Sequence, residues 1–279
     1  MRPSRRRPRL TLGATLIAAL AVAAGTAPGA QAIGGGRPDG DDHPDGGMMA
    51  IEHDGFREAW CSGWYAGPRK ADPGTGVFVT AGHCLADLAA LGFAPSDITV
   101  TFDSGAHYDL DRFEAVATDW HAAVAYDFAL SDSEDYGVVL LEDPVPGLAG
   151  LKFPAAHLLD DLAARGGLRP ATLFDNVGYG FIPHFTRGPA SYEAPPGRML
   201  ATSRFSGLTK TELGLLANPD AGYGGGCYGD SGGPVLPHGS DTVVGMTAGG
   251  DPLCRAKVTP TRLDIPVARA FFDDHLQLP

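Results

Sequence analysis

The feature that most constrains this chain is its punctuation: 39 glycines and 23 prolines break it into many short apolar runs. Long helices do not survive such interruption. Proline removes an N–H and clashes with the preceding turn, and glycine loses the most freedom on ordering. What remains reads as strands. The runs Gly76–Thr80, Asp97–Phe102, Gly137–Leu141 and Asp241–Met246 are rich in β-branched or apolar residues and bounded by turn formers. Helical patterning is confined to a short stretch around Ala155–Ala164 and to the end of the chain. There Asp264 is expected to cap, Pro266 to sit in the first turn, and Ile265, Ala268, Phe271 and Phe272 to form an apolar stripe. An all-β barrel or sandwich follows, without internal repeats. The softest boundary between halves lies at Glu142–Gly167, where prolines and glycines cluster.

Residues 1–32 read as a leader. Arg2, Arg5, Arg6, Arg7 and Arg9 precede an apolar run from Leu10 to about Ala24, and Ala30-Gln31-Ala32 forms a small-residue cleavage site. The rival reading is a membrane anchor, for which the alanine-rich run is somewhat short. With cleavage after Ala32, no stable membrane association is expected. The chain carries 21 basic and 33 acidic residues, and the leader holds five of the arginines and no acid. The mature chain thus keeps 16 basic residues against 33 acidic ones, a formal charge of −17. Such a balance argues against nucleic acid or anionic lipid as partner.

Two segments carry chemistry. Val79-Thr80-Ala81-Gly82-His83-Cys84 sets a histidine directly after an apolar strand, and Cys227-Tyr228-Gly229-Asp230-Ser231-Gly232-Gly233-Pro234 sets a serine in a glycine-rich turn. A serine hydroxyl becomes a useful nucleophile when an imidazole takes its proton and a buried carboxylate orients that imidazole. Asp127, Asp132 and Asp135 all lie in the stretch that would supply the acid. Asp135 is followed by a small residue, an apolar strand and then Pro144, and the residues alone leave the choice among the three open. A glycine-rich turn could also cradle phosphate, but no Lys-Ser or Lys-Thr follows. The four cysteines suit two disulfides in an exported chain, and sequence alone permits three pairings. The remaining histidines, His43, His53, His107, His121, His157, His184, His238 and His275, show no metal-ligand spacing. The acidic stretch Asp39–Asp45 reads as a solvated loop rather than a calcium site.

The two motifs resemble the trypsin/chymotrypsin family of serine peptidases, in its secreted actinobacterial form, and the resemblance spans essentially the whole mature chain. It implies two six-stranded antiparallel Greek-key barrels packed face to face, with a C-terminal helix. Residues 33–150 would form the N-terminal barrel, and 151–279 the C-terminal barrel and helix. It implies a triad of His83, Asp135 and Ser231, with an oxyanion hole from the N–H groups of Gly229 and Ser231. The implied disulfides are Cys61–Cys84 and Cys227–Cys254. Gly178-Tyr179-Gly180 resembles the Gly-Trp-Gly that opens a strand of the second barrel.

Ile33-Gly34-Gly35-Gly36 resembles the family's mature start, whose freed amine pairs with the acid before the nucleophile, here Asp230. Gly34 is a departure, since the family places a branched residue there. The implied specificity pocket comprises Gly225, Gly226, Thr247, Ala248 and Gly249. Gly225 stands at the pocket floor, so a preference for Arg or Lys is not expected, and small or apolar side chains are favoured. The expected partner is a protein or peptide substrate, cut by a secreted monomer that needs no cofactor or metal. The rival reading is a catalytically silent binding protein on the same scaffold. A second rival, an esterase, lacks the G-x-S-x-G elbow around Ser231.

Overall fold

The computed structural model describes residues 32–106, 115–123, 134–184 and 191–279. After a turn at 32–36 and the two-residue strand β1 (Arg37–Pro38), six strands follow. They are β2 (Gly46–His53), β3 (Phe56–Pro68), β4 (Gly76–Thr80), β5 (Ile98–Thr101), β6 (Ala115–Ala122) and β7 (Gly137–Leu141). These close into an antiparallel barrel in the order β2-β3-β4-β7-β6-β5. The β2–β3 hairpin turns on Asp54-Gly55, both with positive φ (50° and 78°), as a two-residue loop matching strand twist requires.

The second barrel is built from β8 (Leu173–Gly178), β11 (Met199–Leu208), β12 (Leu213–Leu216), β13 (Pro234–Pro237), β14 (Gly245–Gly250) and β15 (Lys257–Arg262). Pairing of β11 with both β12 and β8 closes that ring. A small hairpin, β9 (Ile182–His184) with β10 (Ser191–Glu193), stands outside it. Together the two closed six-stranded barrels and the terminal helix form a chymotrypsin-like fold.

The strands at Gly76–Thr80 and Gly137–Leu141 have the expected bounds. The run Asp241–Met246 does not form one strand. Val243 and Val244 are buried and bond to the carbonyls of Lys152 and Val235, and the ladder begins at Gly245. Gly178-Tyr179-Gly180 ends β8 rather than opening a strand.

Helices occupy Leu158–Ala164 and Pro266–Asp273. Ile265, not Asp264, takes the capping position of the terminal helix. Asp264 turns away from it. Its carboxylate accepts from Leu159 N–H at the start of the other helix (2.8 Å) and from Arg262 Nε (2.9 Å). A buried guanidinium two residues away outcompetes a local capping bond, because an unpaired buried charge is the costlier alternative.

The terminal segments cross over. Residues 33–38 lie on the second barrel, where Gly34 bridges Gly225 and β1 pairs with β11. The C-terminal helix seals the first barrel, with Phe272 buried against Phe153 and Tyr136. Inside the first barrel, Phe78 is fully buried, and full burial of such a side chain contributes roughly 1.5–3 kcal/mol. It lies over Gly63, where a Cβ would meet the Phe78 ring at 2.4 Å.

The acidic stretch Asp39–Asp45 is less solvated than its composition implies. Asp39 and Asp45 are buried, and Asp45 accepts from Gly150 N–H at 2.8 Å. Asp39 pairs with Arg198 Nε at 2.7 Å and with His43 Nδ1 at 2.6 Å. The remaining guanidinium nitrogens of Arg198 donate to the carbonyls of Gly40, Gly46 and Phe102. Burial works to raise the Asp39 carboxyl, but the His43 and Arg198 bonds outweigh it and hold the pKa below the ordinary value. Arg198→Met is expected to cost about 3–5 kcal/mol, because it strands the buried Asp39 charge and three carbonyls. Urea titration at neutral pH checks this; a loss no larger than that of an exposed arginine variant would refute it.

Candidate active site

His83 stands in the first turn of the helix Gly82–Leu91, and Asp135 stands two residues before β7. The first helical turn has N–H groups without intrahelical partners. Asp135 Oδ1 accepts one of them, from His83 N at 2.8 Å, while Oδ2 meets His83 Nδ1 at 2.9 Å. One carboxylate thereby fixes both the backbone and the ring of the same histidine. With Nδ1–H donated to Asp135, Nε2 is left as the basic nitrogen. Asp135 is buried and His83 half-buried. Gly82 makes the approach possible, since a Cβ there would meet Tyr136 O at 2.8 Å. The alternative acids Asp127 and Asp132 lie outside the described residues.

Ser231 comes from the other barrel and lines, with His83, one cleft of about 310 Å3. The turn that carries it is fixed through four consecutive carbonyls. Tyr228 O accepts from Phe181 N (2.7 Å), Gly229 O from Ser62 Oγ (2.9 Å), Asp230 O from Gly233 N (2.9 Å) and Ser231 O from Ser62 N (2.9 Å). Gly229 has φ 89°, a left-handed conformation suited to glycine. A trans peptide sets its N–H opposite its carbonyl. The N–H groups of Gly229 and Ser231 therefore point away from the partners that hold Tyr228 O and Asp230 O.

Disulfides join Cys61 to Cys84 and Cys227 to Cys254, as the resemblance implies. The first ties β3 to the residue after His83, and the second ties the serine turn to the loop beyond β14. Cys61, Cys84 and His83 bring three metal-binding atoms together, but both sulfurs are committed to the disulfide.

Gly226, Thr247, Ala248 and Gly249 line the cleft. Gly225 does not; it is buried behind the wall, where a Cβ would meet Val258 Cγ2 at 2.6 Å. The lining residues Gly250, Asp251 and Pro252 carried no signal in the sequence. Asp251 folds its carboxylate into its own loop and accepts N–H groups from Leu253, Arg255, Ala256 and Lys257. Burial raises its pKa, but those four donors win and lower it. Pro252 offers its carbonyl to Tyr228 Oη at 3.1 Å and to Tyr192 Oη at 3.4 Å. The two tyrosine rings meet edge to face at 5.3 Å, and Tyr228 lines the cleft.

Ile33 is fully buried beside Met199 and Ala201, with φ 50°, an uncommon conformation for a β-branched residue. Gly34 needs its lack of a side chain, since a Cβ would meet Cys254 O at 2.6 Å. Asp230 is buried, and its carboxylate accepts from Gly180 N and Cys227 N, each at 2.8 Å. Desolvation dominates over these neutral donors and pushes its pKa up to about 7.

No protein-family model matches this sequence, and no curated protein does either. The fold itself, two closed barrels with the candidate site at their junction, is that of chymotrypsin-like proteins. Among solved structures, the VesB protease of Vibrio cholerae matches with a TM-score of 0.59 at 15% identity, over 87% of this chain and 67% of that one. At that identity the likeness establishes the fold.

A raised carboxyl pKa means that the native state holds a proton the unfolded chain has released between pH about 4 and 7. Its contribution to stability is therefore present at low pH and lost as pH rises through that window. In the chain with Ile33 still joined to Ala32, Asp230→Asn should gain on the wild type over this range, by up to roughly 1.4 kcal/mol per pH unit. Paired urea midpoints at pH 4.5 and 7.5 measure the difference; an unchanged gap would show that Asp230 is already ionised when buried.

Proposed function

We propose that this chain is a secreted serine endopeptidase working through His83, Asp135 and Ser231. The observation that carries the reading is the double hold of Asp135 on His83 at the edge of the cleft that Ser231 lines. His83 Nε2 takes the Ser231 proton as Oγ attacks the scissile carbonyl, then returns it to the leaving amine. Asp135 stabilises the imidazolium formed in between. Water releases the acyl group by the same steps in reverse. The N–H groups of Gly229 and Ser231 receive the negative charge that develops on the carbonyl oxygen. Export by the arginine-rich leader agrees with the two disulfides, which persist in oxidising surroundings. Release of Ile33 by cleavage after Ala32 supplies an α-amine, protonated near neutral pH, to pair with Asp230.

The walls that Gly226, Thr247, Ala248 and Gly249 give the cleft are uncharged and favour small or apolar side chains at the cleaved position. Asp251 is spent on its own loop, and Tyr228 and Pro252, bonded to each other, both line the cleft. Tyr228→Ala is expected to raise kcat/KM for Phe relative to Ala at that position by about tenfold, within the range that pocket shape controls. A peptide series read by mass spectrometry decides it, and a ratio within twofold of wild type would remove Tyr228 from selectivity.

A fluorophosphonate probe tests the function itself. Stoichiometric labelling at Ser231 is expected, lost in His83→Ala, with Asp135→Asn lowering kcat on the order of 10⁴-fold. Absence of labelling in folded protein that begins at Ile33 would overturn the peptidase reading and favour a silent binding protein on this scaffold.

A further inference from the structure

Ser62 lies in β3 of the first barrel, yet it touches the serine turn of the second at two points. It is fully buried, and all its polar groups are engaged. Its N–H donates to Ser231 O at 2.9 Å, and its Oγ donates to Gly229 O at 2.9 Å. The same Oγ accepts from Tyr179 N–H at 2.9 Å, and its carbonyl accepts from Thr80 Oγ1 at 2.8 Å. A hydroxyl has one proton and two lone pairs. Since the Tyr179 N–H and the Gly229 carbonyl have fixed roles, the Ser62 proton has one destination, the Gly229 carbonyl.

We infer that Ser62 is a positioning residue whose hydroxyl sets the oxyanion-binding geometry of Gly229 and Ser231. The inference rests on the peptidase reading of this site. Ser62 Oγ holds the carbonyl of the 229–230 peptide, whose own N–H donates to Cys227 O at 3.0 Å. That plane is thus held at both ends and separates the two peptides that present the Gly229 and Ser231 N–H groups. Removing Oγ releases the plane at a glycine, the residue that resists rotation least. It also strands Tyr179 N–H, next to Gly180, whose N–H holds Asp230. Oxyanion donors stabilise charge that develops in the transition state and contribute little to ground-state binding. The loss should therefore fall on kcat and spare KM.

The test compares Ser62→Ala and Ser62→Gly with wild type, processed to Ile33, on a chromogenic peptide amide. Thr80→Val serves as a control that removes a bond to Ser62 without touching its hydroxyl. Thermal melting of each sample fixes the folded fraction used for normalisation. Both Ser62 variants are expected to lose about 10–100-fold in kcat with KM within twofold. Affinity for a peptide aldehyde, which forms a tetrahedral adduct, should weaken by the same factor, while Thr80→Val keeps its kcat. Retained kcat in either folded Ser62 variant, or an equal loss in Thr80→Val, would overturn the inference. Inactive wild type that also fails to take the fluorophosphonate would instead refute the peptidase reading beneath it.

Discussion

Closing a sheet into a barrel removes its edges, and two closed barrels then have no strand ladder to share. Among the described residues they are joined by side chains and by backbone bonds outside the barrel ladders. Arg198, just before β11, reaches the carbonyls of Gly46 and Phe102 in the first barrel. Tyr179 donates its hydroxyl to Asp103 O at 3.0 Å, and Ser62 holds two carbonyls of the serine turn. The exchanged terminal segments, with residues 33–38 on one barrel and the last helix on the other, and an apolar cluster that spans both barrels add to the joint. A site that draws His83 and Asp135 from one barrel and Ser231 from the other inherits its precision from this joint. Bonds of this kind are directional, so they fix orientation where apolar packing alone would allow sliding.

Local patterns in the sequence disclosed several of the strands and the positions of two helices. Gly76–Thr80 and Gly137–Leu141 were legible because turn formers bound them on both sides. The family resemblance pointed to Asp135 through the apolar strand that follows it, a local cue. Long-range polar partners leave no such cue. Arg198 is one arginine among many, and its partners Asp39, Gly40, Gly46 and Phe102 come from three separate places, the farthest 159 positions away. Gly34 read as a lost apolar contact, because the approach of Cys254 O exists only in three dimensions. Asp264 followed the rule for a helix cap and was claimed instead by Arg262 and a different helix. Propensity governs a segment only until a buried charge needs a partner.

The buried acids show what such partners decide. Asp39 meets a guanidinium and an imidazole, and its carboxyl is held below the ordinary range despite burial. Asp251 reaches the same outcome with backbone N–H groups alone, but it lies at the cleft surface, where four donors and water share the charge. Asp230 is fully buried with two neutral donors, and its carboxyl rises to about 7. Two amide dipoles do not replace the solvation that a carboxylate loses in the interior. Asp230, next to Ser231, is thus the fully buried acid of these three without a cation beside it among the described residues. A cation placed there would lower that pKa and stabilise the turn in the same act, because the interaction that favours the charged form also favours the conformation that buries it. In the mature form proposed above, which begins at Ile33, the α-amine would be that cation, and the Ile33 side chain is buried on the same barrel.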